Sequence, residues 1–309
     1  MLGRIVAIAH NTFREAARDR VPLALFGSGL AVGAASLLVA AMSLGRDRAE
    51  VVAVLTSASI SLFALIGAVV LGASLLYKDL ERKTIFPILA RPVHRHEVLI
   101  GKHVGLVGTV AVFSLLDGAL SLTLTAITRE ERLVGRAIGA WAVIAVIAAV
   151  VLFRARDKST PLLVLAPLLF FTVATLVGPL GDLRTLIRVT VALAIVESAV
   201  VAAISLVFGA FSTPFLTAAL TAGVVLIGRN ADLLAKLPEK TLGHGMVVIG
   251  RGLARVVPNL HMYVPPRVVS SGHVGSIGSY VAQAAAYGAL YVVVLLVLSA
   301  VIFRRRDFA

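Results

Sequence analysis

The chain has 309 residues, of which 59% are hydrophobic and 15% charged, with a mean hydropathy of +0.98; soluble domains carry about a quarter charged residues, so the composition excludes that class. The formal net charge of +13 would suggest nucleic acid in a soluble protein, but in a membrane protein an excess of Lys and Arg in cytoplasmic loops accounts for it. With no cysteine, there is no disulfide framework and no thiolate chemistry. Residues 1–20 open the chain as an expected amphipathic helix on the membrane surface. Leu2, Ile5, Val6, Ala9, Phe13, Ala16 and Ala17 share one face, and Arg4, Asn11, Arg14, Glu15 and Arg18 the other. Pro22 then separates this helix from the first span. The charges at Arg14, Glu15 and Arg18 to Arg20 argue against a cleavable signal.

Eight apolar stretches follow over 21–309: Pro22–Leu44, Val51–Tyr77, Val104–Ile127, Ala137–Phe153, Pro161–Leu180, Val189–Phe211, Thr213–Gly228 and Val274–Phe303. About 20 apolar residues cross the hydrocarbon core. Runs this continuously apolar lack the alternation of a barrel strand, so the expected fold is an all-α polytopic bundle. Thr213–Gly228 is the shortest, and Pro167 weakens Pro161–Leu180. An N-in, C-in orientation puts Arg4, Arg14, Arg18, Arg20, the connector 77–102, Arg154, Arg156, Lys158 and Arg304–Arg306 in the cytoplasm. It leaves Arg46, Arg48, Arg129, Arg132, Arg136, Arg184 and Arg188 in short outer loops. The segment 229–273 becomes a long extracytoplasmic loop, part helical and tucked against the outer membrane surface. Gly29 with Gly33, and Ala68 with Gly72, predict close helix packing.

The connector "YKDLERKTIFPILARPVHRHEVLIGK" interrupts this pattern with a charged turn, an apolar set at Leu80, Ile85, Ile88 and Leu89, and a bend at Pro87 and Pro92. It suits a docking helix whose apolar side rests on the membrane domain while its charges meet a soluble partner. Two acids fall inside apolar stretches, Asp117 and Glu197. At mid-bilayer a carboxylate is costly, so each should face the bundle interior, protonated or paired, either as a path or gating residue or as a purely structural hydrogen-bonding group. His94, His96 and His103 lack the carboxylate or fourth ligand of a zinc site and sit among Arg91, Arg95 and Lys102, so no metal is expected.

Four stretches carry a family likeness: "AIAHNTFREAARDR", "YKDLERKTIFPILARPVHRHEVLIGKHVG", "FGAFSTPFLTAALTAGVVLIG", and "LARVVPNLHMY" with the terminal "AVIFRRRDF". In their order the chain resembles the ABC-2 type permease subunits of ABC transporters, of the bacterial group that includes the membrane partner in nitrous-oxide reductase maturation. The resemblance implies a multi-pass protein of the bacterial cytoplasmic membrane that pairs with a second, identical or different, permease chain. It also implies a separate ABC ATPase, which supplies ATP and Mg, and makes the connector a coupling helix. Asp79, Leu80, Glu81, Arg82, Lys83, Thr84, Ile85 and Phe86 would then sit in a cleft on the ATPase, and export is the implied direction. No G-x-x-x-x-G-K-[ST] occurs in the chain, which agrees with an energy source on another subunit and no cofactor here. The family has six spans, so 128–185 is expected to be an added helical pair. Two other functions are open to such a chain: a non-transporting scaffold or sensor of the same fold, and an intramembrane enzyme.

Overall fold

A computed structural model describes residues 1–43, 48–81, 94–130, 132–155, 157–177, 180–236, 239–264 and 277–304, and these residues are helical with no strand among them. In chain order the helices are α1 (Leu2–Arg18), α2 (Arg20–Met42), α3 (Arg48–Glu81), α4 (Arg95–Arg129), α5 (Arg132–Arg154) and α6 (Leu162–Leu176). Then come α7 (Asp182–Gly209), α8 (Pro214–Arg229), α9 (Ala231–Ala235), α10 (Glu239–Val256), a 3-10 turn at Leu260–Tyr263, and α11 (Ile277–Arg304). The all-α expectation holds. Among the described residues six helices, α2, α3, α4, α5, α7 and α11, are long and apolar enough to cross a bilayer. The other two predicted stretches also fold as helices, but α6 has 15 residues and α8 has 16. At about 1.5 Å per residue each reaches only some 22–24 Å, short of a roughly 30 Å core.

Helices α4 and α7 are the most enclosed spans, whereas α5 and α11 keep most of their surface outside the fold. Small and hydroxylated residues set the register. Helix α3 runs antiparallel to α4, with Thr56 hydrogen-bonded to Ser121 and Gly72 close to Leu106. It runs parallel to α7, where a Cβ on Gly72 would lie 2.6 Å from that of Ser205. Helix α8 returns antiparallel along α7, Ser205 Oγ donating to Thr221 Oγ1 at 3.3 Å. Helix α11 is parallel to α7, with Ser299 Oγ donating to the Leu206 carbonyl at 3.2 Å and Gly288 packed on Val196. The predicted close packing at Gly29, Gly33 and Gly72 is present: their neighbours are Asp117, Leu124 and Ser205.

Amphipathic α1 uses its apolar face differently from the expectation. Ala9, Thr12, Phe13 and Ala16 are buried, over Gly101 and Gly105 of α4 and beside Val112 and Ala166. Leu2 and Val6 remain exposed. Part of the apolar face packs on the bundle, where the two α4 glycines let the α1 backbone approach. Asp19 breaks the helix in extended conformation and caps α2 through its carboxylate.

The loops divide between two ends. The α5–α6 turn lies against α1, and Arg95, Leu99, Ala210 and Phe303 meet at that same end. Ala49, Glu50, Arg129, Glu130 and Leu180–Leu183 line a cavity of about 660 Å³ at the opposite end. Arg4 and Phe303 therefore share one side of the bundle with residues 157–160.

Candidate functional site: the intramembrane charges and the helix-end connector

Of the predicted coupling residues, Asp79, Leu80 and Glu81 form the last turn of α3. Arg82, Lys83, Thr84, Ile85 and Phe86 lie outside the described residues. The connector resumes at His94, which starts α4 in a reciprocal cap: its backbone N–H donates to the Glu97 carboxylate at 3.3 Å. Glu97 is buried, with Arg4 of α1 at 3.7 Å. The His94 and His96 rings stack at 5.3 Å, while His103 is buried further along α4, about 10 Å from His96 along the axis. The three histidines do not converge.

A second polar cluster joins α1 to the α5–α6 turn. Asp157 accepts from Ser159 Oγ at 2.8 Å and Thr160 Oγ1 at 2.6 Å, and pairs with Arg14 at 2.7 Å and Arg18 at 3.0 Å. His10 Nε2 lies 2.8 Å from Thr160 Oγ1. The Thr160 hydroxyl first, then Ser159 and the Arg14 charge, hold the Asp157 carboxyl well below the usual carboxylate range. A free Asp titrates near about 3.9, so this clasp contributes stability above that pH and loses it only as pH falls toward the lower folded value. The melting difference between the parent and Asp157→Asn should stay constant from about pH 8 to 5 and close below about pH 4. Closure already at pH 6 would show that the carboxylate is not held this way.

The two intramembrane acids lie at one depth, on either side of α3. Asp117 is 2% exposed, wedged between Gly29 of α2 and Ser59 of α3, and its Oδ2 has no partner among the described residues. Glu197 is 1% exposed and receives both arms of a guanidinium. Arg229 Nε donates to Oε1 at 2.9 Å and Nη2 to Oε2 at 2.8 Å, while Nη2 also donates to Ser61 Oγ at 2.9 Å. Among the described residues Glu197 is thus the ion-paired acid, whereas Asp117 has a hydrogen bond to the Ser59 side chain. Both are about 18–22 Å from the Arg129 and Asp182 ends of their helices, near mid-bilayer.

Arg229 was not singled out by sequence, which assigned it to the loop 229–273. Two signals point to it: α8 is too short to cross, so its last residue stops at mid-depth, and an acid occurs in the preceding apolar run. The loop itself does not all stay at the surface. Leu260 and Tyr263 are buried, Gly228 packs against Pro258 and Leu260, and His261 Nδ1 lies 3.1 Å from the Arg229 carbonyl.

Length, hydropathy and packing define a multi-pass α-helical membrane protein. Residues 6–127 match the family model described as ABC-2 family transporter protein. The match runs from α1 into the last turns of α4, so it takes in the first two of the four stretches that carry the likeness. No curated protein matches the chain. Over residues 6–127 the chain is therefore similar to ABC-2 family transporter proteins.

Proposed function

We propose that the chain is the membrane half of an ATP-driven transporter of the bacterial cytoplasmic membrane, exporting a substrate with energy from a separate ABC ATPase. The connector 77–102 carries this reading. Its first residues, to Glu81, continue α3, and from His94 it forms capped α4, inside the stretch that matches the ABC-2 model. Asp79–Phe86 dock on the ATPase, ATP and Mg stay on that partner, and a second permease chain completes the assembly. Closure of the ATPase pair moves the connectors, and the membrane domains rock between two states. Asp117 and Glu197 are the path or gating acids. The four quoted stretches support the group that includes the nitrous-oxide reductase maturation permease.

Reversing charge at Glu81 and Arg82 together tests the coupling. Exposed charges contribute about 0–1 kcal/mol to folding, whereas truncating a buried interfacial pair costs roughly 2–5 kcal/mol of binding. Pull-down of the cognate ATPase should therefore fail while the permease melts as before. Retained binding with undiminished ATP-driven transport removes the coupling assignment, and binding without any ATP-driven movement favours a scaffold or sensor. Sidedness has its own test: reporter fusions after Arg132 and Asp182 should report outside and those after Lys158 inside.

A further inference from the structure

The Arg229 side chain is 26% exposed, although it ends α8 at the depth of Glu197 and Ser61. Its Nε and Nη2 are occupied, and Nη1 has no hydrogen-bond partner among the described residues. At mid-bilayer, lipid is the costliest surface a guanidinium could face, so intramembrane charges turn toward the bundle interior or a water-filled cavity. The neighbouring surface is open: Ala58, one turn from Ser61 on α3, and Asn230, next to Arg229, are both exposed. Beyond α8, Asn259 donates to Asp232 at 2.9 Å.

We infer that Arg229 forms the floor of a hydrated vestibule reaching from the outer face to mid-membrane, where Nη1 donates hydrogen bonds to a neutral oxygen acceptor, a hydroxyl or carbonyl, on the transported molecule. Neutral acceptors fit because Glu197 already cancels the guanidinium charge. The pair offers donors without a net field, and an anion would meet the Glu197 carboxylate as well. Ser61 adds a hydroxyl that orients Nη2 and leaves Nη1 pointing away from the pair. The cargo class rests on the permease reading, and the outer opening of the vestibule on the N-in orientation.

The chain has no cysteine, so single thiols report without background. Ala58→Cys and Asn230→Cys are placed in the full chain in spheroplasts, with Leu290→Cys as a control. Leu290 is 64% exposed on α11, level with Glu197 through the packing of Gly288 on Val196. Thiols react as thiolates and need water. Externally added charged methanethiosulfonates should therefore modify Ala58→Cys and Asn230→Cys at least about 10-fold faster than Leu290→Cys. No difference from Leu290→Cys, or reaction only from the cytoplasmic side, overturns the vestibule. For the neutral-acceptor class, the cationic and anionic reagents, each scaled to its rate with free cysteine, should react equally. A strong preference for the anionic reagent overturns that class. Modification of a chain that captures no ATPase removes the permease reading and leaves the vestibule standing, whereas absent modification with the ATPase bound removes the vestibule alone.

Discussion

Arg229→Gln is expected to destabilise the protein by about 3–5 kcal/mol, because it leaves Glu197 buried without its counter-charge. Glu197 is 1% exposed and both its oxygens are taken by Arg229. The truncated side chain restores neither the charge nor the two-armed geometry, and Ser61 loses the group it orients. Glu197→Gln should cost less, since an amide oxygen still accepts from Arg229 and the Arg229 side chain is 26% exposed. The informative variant is Glu197→Leu with Arg229→Met. Replacing a buried pair by apolar residues of similar size is often neutral or stabilising, so the double variant should melt closer to the parent than Arg229→Gln does. Thermal unfolding of the purified protein measures all three. Equal melting of Arg229→Gln and the parent would mean that the bridge holds nothing in place. A double variant that folds but no longer transports would separate the pair's role in the path from its role in the fold.

Gly105→Leu is expected to lift α1 off the bundle. A Cβ at Gly105 would fall on the Ala9 carbonyl oxygen and lie 2.7 Å from Thr12 Cβ. Main chain cannot rotate out of the way as a side chain can, so the whole helix must move. Overpacking alone costs about 1–3 kcal/mol. If α1 detaches, the burial of Phe13, 2% exposed, is also lost, worth about 1.5–3 kcal/mol. Gly135→Leu is the matched control: Gly135 lies in α5 with nothing within 4 Å of its Cβ position, and Gly to Leu in a helix gains up to about 0.8 kcal/mol. Protease cleavage near residues 18–20, together with melting, reads the outcome. Unchanged cleavage and melting in Gly105→Leu would mean that close contact at Gly105 does not hold α1 on the bundle.

Composition and periodicity by themselves determined the class. Eight apolar stretches became eight helices, and Asp117 and Glu197 stood out as acids in apolar runs that proved to be buried. They determined this because the bilayer imposes one rule, about 20 apolar residues with every backbone group satisfied internally, which is written in length and hydropathy alone. Only the tertiary structure decided how the helices use their faces. The amphipathic pattern of α1 is the same whether it meets lipid or protein, and Gly101 and Gly105, some ninety residues away, turn it toward the bundle. Of two similar acids, Glu197 gains an ion pair because the antiparallel register of α7 and α8 brings Arg229 to it across 32 residues of chain, whereas Asp117 meets only the Ser59 side chain and Gly29 among the described residues. Both outcomes depend on which helices are neighbours, a long-range property that local pattern does not encode.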